Sequence, residues 1–147
     1  MDQDDKVKNK NGEVMKGGGL IIKEKNSKKY LLMVYRANHN DWTFPKGHTK
    51  HSETVQETVV REVKEETGIK VEIIKELTPN KYFNTKSGEE TISHMFLLRP
   101  ITYNIIPEKE EDKVEWVPID LVREKISHEN LKTYFDQIID EIKSFYT

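Results

Sequence analysis

Gly47-His48-Thr49-Lys50-His51-Ser52-Glu53, followed without a break by Thr54 to Val60 and by Arg61-Glu62-Val63-Lys64-Glu65-Glu66-Thr67-Gly68-Ile69, decides how the rest of the chain is read. The stretch reads as a loop that can approach phosphate, running into a helix that carries several carboxylates. At about 100° per residue, Val55, Val59, Val60 and Val63 form an apolar stripe, with Glu66 inside it and Glu62 on its edge. Burying an unpaired carboxylate costs several kcal/mol, so something cationic must face those two side chains. Glu62, Glu65 and Glu66 stand at i, i+3 and i+4 and can reach one neighbouring volume. Such an oxygen-only, multiply anionic donor set suits a hard divalent ion, Mg²⁺ or Mn²⁺. At the helix start, Ser52 is one candidate N-cap and the Thr54–Glu57 pair offers a capping box as the other. Glu53 is then placed in the first turn, where the helix dipole favours it. Gly68 ends the helix.

Upstream, Lys16-Gly17-Gly18-Gly19-Leu20-Ile21-Ile22 reads as a strand whose glycines allow another backbone or a ligand to come close. No helix pattern follows it, which disfavours a dinucleotide fold. A turn at Lys25 to Lys28 leads to Tyr30–Tyr35, a second strand that makes a hairpin with the first. The polar loop Arg36–Asp41 delivers the chain to Trp42-Thr43-Phe44-Pro45-Lys46-Gly47. Pro45 fixes φ, Gly47 permits a backbone geometry that other residues resist, and its carbonyl offers a neutral oxygen ligand for a metal. Lys46 is the expected substrate-phosphate contact. His48 and His51 are read as solvated loop residues rather than zinc ligands.

Downstream, Lys70–Leu77 alternates as a strand. Lys81–Asn84 and Ile92–Leu98 flank a turn at Lys86–Glu89 and predict a second hairpin. Tyr82 is the expected base-stacking aromatic, ahead of Phe83. The charge run Pro107–Asp112 precedes a strand at Val114–Pro118. Leu131, Tyr134, Phe135, Ile138, Ile139, Ile142 and Phe145 mark a C-terminal amphipathic helix.

The composition narrows the function classes. A chain of 147 residues is one domain by size, and residues 1–14, polar and charged, are expected to fray, leaving 15–147 as the folded unit. Lys+Arg 24 against Asp+Glu 26 lacks the basic excess of a stable nucleic-acid binder. Without cysteine there is no disulfide, thiolate metal site or cysteine nucleophile. No apolar run has the length of a signal core or a membrane span, so the expectation is a cytoplasmic protein, monomeric or homodimeric, with no membrane partner.

The glycine, five residues, Glu, seven residues, Arg-Glu-apolar-X-Glu-Glu-X-Gly-apolar pattern resembles the signature of the Nudix hydrolases, and each specified position is matched. Its chance occurrence is on the order of 10⁻⁸ to 10⁻⁹ per starting position, which makes it far more specific than a lone glycine motif. The resemblance implies an α+β fold, an α/β/α sandwich with a mixed central sheet, a signature loop-helix-loop and the C-terminal helix. It implies metal-dependent hydrolysis of a phosphoanhydride in a nucleoside diphosphate linked to another moiety, the substrate being a nucleotide or dinucleotide. Residue by residue, it implies Glu62 as base, and Gly47, Glu62, Glu65, Glu66 and one acid of the 107–112 loop as metal ligands. Glu110 and Glu111 are both candidates for that acid, with Glu111 preferred. Arg61 is implied to hold Glu53 or Glu65 in place rather than to touch substrate. The Trp42–His48 stretch with Tyr82 is similar to the dinucleoside polyphosphate (Ap4A) hydrolases. RNA 5′-pyrophosphohydrolases usually carry Gln where Lys46 stands. A (deoxy)nucleoside triphosphate pyrophosphatase, an RNA 5′-pyrophosphohydrolase despite that difference, and a non-catalytic nucleotide-binding module are the alternatives. The sequence departs from the family at His51-Ser52, where Pro-Gly is usual.

Overall fold

The computed structural model describes residues 6–145, the side chain of Phe145 excepted. Eight strands and three helices follow in the order β1 (Val14–Lys25), β2 (Lys28–Arg36), β3 (Asp41–Thr43), β4 (Lys46–His48), α1 (Val55–Thr67), β5 (Val71–Glu76), β6 (Asn80–Asn84), β7 (Glu89–Pro100), β8 (Lys113–Pro118), α2 (Ile119–Lys125) and α3 (Glu129–Phe145). The sheet is mixed. Its path β3-β2-β1-β7-β5 contains one parallel pair, β1 with β7, while β4 joins β1, β6 joins β7 and β8 joins β2, all antiparallel.

Side-chain alternation along the central strands builds two cores, one on each face of the sheet. Leu20 and Ile22, Leu31 and Met33, Met95 and Leu97 point to the face covered by α2 and α3, where Val122, Tyr134, Phe135, Ile138 and Ile142 meet them. Ile21, Leu32, Phe96 and Leu98 point to the opposite face and pack under Val59 and Val63 of α1. Each such fully buried aliphatic or aromatic side chain contributes roughly 1.5–3 kcal/mol relative to exposure. The expected α/β/α sandwich and both hairpins are therefore present. The short strands β3 and β4 and the helix α2 have no counterpart in the sequence reading, because segments of three to seven residues carry too little periodicity.

Two expectations need correction. Val60, assigned to the inward stripe of α1, is 39% exposed, and the buried positions are Thr58, Val59, Val63 and Thr67. The cause is Gly17: a Cβ there would lie 3.0 Å from Thr58 Cβ and from the Val55 carbonyl oxygen, so β1 draws Thr58 inward and rolls Val60 out. The frayed tail expected over 1–14 is not what residues 6–14 form; residues 1–5 lie outside the described residues. Val14 is buried, the Met15 amide donates to the Val7 carbonyl at 2.9 Å, and Lys6 Nζ reaches Glu89 at 2.9 Å.

Candidate active site

Helix α1 begins with Thr54, whose side chain accepts from the Glu57 amide while Glu57 reaches back to the Thr54 amide. The capping box thus takes the helix start. Glu53 lies just before it, outside the first turn in which the sequence reading placed it, and Ser52 sits at φ 68° in the loop instead of capping. With the roll set by Thr58, Glu62 and Glu66 fall in the middle of the arc bounded by Thr58 and Thr67. The two acids read as inward-pointing are inward-pointing.

Arg61 gathers the loop and the helix. Its Nε and Nη2 bond both oxygens of Glu53 at 2.7 and 2.9 Å, Nη1 donates to Glu62 Oε1 at 2.6 Å and to Glu65 Oε2 at 3.3 Å, and Nη2 also donates to the His48 carbonyl at 3.0 Å. These bonds to Arg61 hold the Glu53 carboxyl down to about 2. Glu66 has no such partner. Its Oε2 accepts from the Lys46 amide at 3.0 Å, and burial, reinforced by the negative charges of Glu62 and Glu108, pushes its carboxyl up to about 9. Burial also raises Glu62, against the pull of Arg61.

Gly47 earns its place by closeness, not by conformation. It is absent from the positive-φ residues, but a Cβ on it would overlap the Glu62 carboxyl group. The expectation of an unusual backbone at Gly47 is corrected accordingly: β4 passes directly over the carboxylate, and only a residue without a side chain fits.

These groups open onto two adjoining cavities. The smaller, of about 200 Å³, is lined by Glu62, Glu66, Glu108 and Asp112 together with Arg36, His39 and Lys46. The larger, of about 400 Å³, shares Arg36, His39 and Lys46 and adds Lys16, Tyr82, Phe83, Lys86 and His128 among others. One half of the cleft is thus acidic and the other cationic, and Lys46 belongs to both. Lys46 Nζ stands 5.4 Å from the centre of the Tyr82 ring, and burial lowers its pKa. The Tyr82 hydroxyl is buried beside Ser93 and Lys16, whereas Phe83 is 54% exposed.

Among the acids of the 107–112 loop, Glu108 and Asp112 line the smaller cavity; Glu110 and Glu111 are exposed and do not. Nothing in the local sequence separates Glu108 from its neighbours, since the loop's path is set by β8 pairing with β2. Arg36, Asp41 and His128 were likewise not singled out. They come from two strand ends and the α2–α3 connection, and no sequence spacing links them. Among the described residues, no three His, Asp or Glu side chains are gathered closely enough to hold an ion as they stand. Arg61 occupies Glu62 and turns Glu65 to the outside.

The fold and the cleft define the class: a mixed α+β sandwich with a carboxylate-bearing helix beside a cationic pocket. Residues 17–137 match the NUDIX domain family, and the chain belongs to it. It is 34% identical over 109 residues to a MutT-like protein of Streptomyces ambofaciens, covering 74% of this chain and 66% of that protein. It is 29% identical over 109 residues to Nudix hydrolase 7 of Arabidopsis thaliana, covering 70% of this chain and 39% of that protein. The chain therefore spans under two thirds of the length of these curated relatives. Its fold is similar to the crystal structure of the Caenorhabditis elegans Ap4A hydrolase, with a TM-score of 0.73 at 18% identity, covering 92% of this chain and 99% of that one.

Proposed function

We propose that the chain is a metal-dependent Nudix hydrolase that cleaves a phosphoanhydride in a nucleoside diphosphate linked to another moiety, with Ap4A as its first substrate. The observation that carries this reading is the joined pair of cavities, acid-lined and cation-lined, with Lys46 common to both. A phosphoanhydride spanning that junction would lay its reacting phosphate beside the carboxylates and its departing nucleotide among the lysines.

The donor set fits Mg²⁺ or Mn²⁺: Glu66 is a buried carboxyl with one amide hydrogen bond and no cationic side chain on it. In this reading Glu62, Glu66 and the Gly47 carbonyl would hold the ion, Glu65 would join them on leaving Arg61, and Glu108 would take the loop position for which Glu111 was preferred from sequence. Such an ion, when held there, would supply charge screening for phosphate oxygens and activation of water at neutral pH. Glu62 is the base. Arg61 bonds its Oε1, which leaves Oε2 to accept the proton of the attacking water. Arg61 and Glu53 are positioning residues, tying the loop through the His48 carbonyl to the helix that carries Glu62. Lys46 contacts substrate phosphate, and the aromatic pair at Tyr82 and Phe83 offers a face for a base. A nucleoside triphosphate pyrophosphatase is the second reading, compatible with the same joined acidic and cationic cavities.

The test is hydrolysis, with Mg²⁺ and with Mn²⁺, of Ap4A, the common nucleoside triphosphates and 5′-triphosphate RNA, scored for nucleotide and phosphate products. AMP and ATP from Ap4A support the first reading, and pyrophosphate from a triphosphate supports the second. No turnover on any of them would leave only a nucleotide-binding module.

A further inference from the structure

At the end of β2 and the start of β3, Asp41 is buried to 2% exposure and bonded by two side chains that both face the larger cavity. Arg36 grips it with Nε at 2.9 Å and Nη2 at 2.6 Å, and His128 Nε2 meets its Oδ2 at 2.7 Å. Burial opposes ionisation of this carboxyl, but its bonds to Arg36 and His128 prevail and hold it down to about 2. The bridge is reinforced by backbone: the Trp42 amide donates to Ser127 Oγ at 2.8 Å, and the His128 carbonyl accepts from the Leu131 and Lys132 amides at the start of α3. Two donors separated by more than ninety residues of chain are thereby aimed from one buried anion into one cavity.

A carboxylate held this way does more than join two elements. It spends only Nε and Nη2 of Arg36, so Nη1 makes no hydrogen bond among the described residues. With its Nε2 on Asp41, His128 presents Nδ1 from a side chain that is 55% exposed. Arg36 is a fixed cation, and a His128 ring carrying a proton on each nitrogen donates to Asp41 through Nε2 and into the cavity through Nδ1, so one wall offers both donors to an oxyanion.

We propose that His128 and Arg36, both oriented by Asp41, form a phosphate subsite in the larger cavity that binds the part of a polyphosphate chain lying beyond the anhydride being cleaved. This deepens the proposed function and rests on it for the location of the cleaved bond. The subsite selects for chain length: it adds nothing for adenosine or a monophosphate held only near the acidic half, and it strengthens binding of longer chains.

Binding of adenosine, AMP, ATP and inorganic tripolyphosphate is measured by calorimetry on the full chain in EDTA, for the wild type, His128→Gln and Asp41→Asn. Gln keeps a donor toward Asp41 while removing the ring nitrogen that faces the cavity, and melting curves check that the fold is retained. Loss of one charge-assisted contact predicts ATP and tripolyphosphate affinities about ten- to a hundredfold lower in His128→Gln, with adenosine unchanged. A His128→Gln protein that melts like the wild type and binds tripolyphosphate equally well overturns the subsite. A uniform loss on all four ligands overturns it as well, because that pattern reports displacement of α3. Weakened tripolyphosphate binding in a chain that hydrolyses no phosphoanhydride supports the subsite and removes the hydrolase reading, so the two can fail separately.

Discussion

Glu66→Gln in metal-free protein puts the electrostatics of the site to a direct trial. The folded value near 9 stands well above the ordinary 4.5 for this carboxyl, so the folded chain retains a proton that the unfolded chain gives up at neutral pH. Such a group leaves stability untouched below about pH 4.5 and subtracts from it progressively as pH rises toward 9. By pH 7.5 about three pH units at ~1.36 kcal/mol each have accumulated, on the order of 4 kcal/mol at most. Gln removes the titration and keeps an oxygen to accept from the Lys46 amide. Urea denaturation in EDTA at pH 5 and pH 7.5 is expected to show the variant nearly equal to the wild type at the lower pH and more stable by about 2–4 kcal/mol at the higher. Added Mg²⁺ should then stabilise the wild type and scarcely affect the variant, because an ion that needs the ionised carboxylate binds only the folded wild type. A difference between the two proteins that stays constant with pH would refute the reasoning, for it would mean that Glu66 titrates normally in the folded chain.

Four further substitutions probe the surrounding geometry. Glu62→Gln should lower turnover by about 10²–10⁴ while leaving the melting temperature within a few degrees, and a near-normal kcat removes Glu62 as the base. Gly47→Ala should cost about 1–3 kcal/mol in denaturant, since β4 and the Glu62 carboxyl cannot both keep their positions; an unaffected midpoint would show that the contact is loose. Arg61→Lys should cost about 1–3 kcal/mol and depress kcat, because an ammonium cannot fork onto Glu53 while reaching Glu62 and the His48 carbonyl. Ser52→Gly should raise stability by up to about 1 kcal/mol, since Ser52 sits at φ 68° where the family usually places glycine, and thermal melting at matched pH will read it.

The amino-acid sequence by itself determined the main strands, the acid-bearing helix and the C-terminal helix through local periodicity, while the layered arrangement was implied by the resemblance of the signature. Unbroken apolar runs at Leu20–Ile22 and Leu31–Met33 supply both faces of a sheet, and the i, i+3, i+4 spacing of Glu62, Glu65 and Glu66 fixes their relation within any helix. Arg61 was legible in part for the same reason: Glu62 and Glu65 lie within a turn of it, whereas Glu53 stands eight residues upstream in the loop and was named through the resemblance. The rotation of that helix was not legible, since it depends on Thr58 meeting Gly17 across the sheet, and that contact turned Val60 outward. Only the tertiary structure decided which loop acid faces Glu66, why residue 47 must lack a side chain, and that Asp41 joins Arg36 to His128. Each of these is a distance between segments far apart in the chain, set by strand pairing and core packing rather than by any spacing along it.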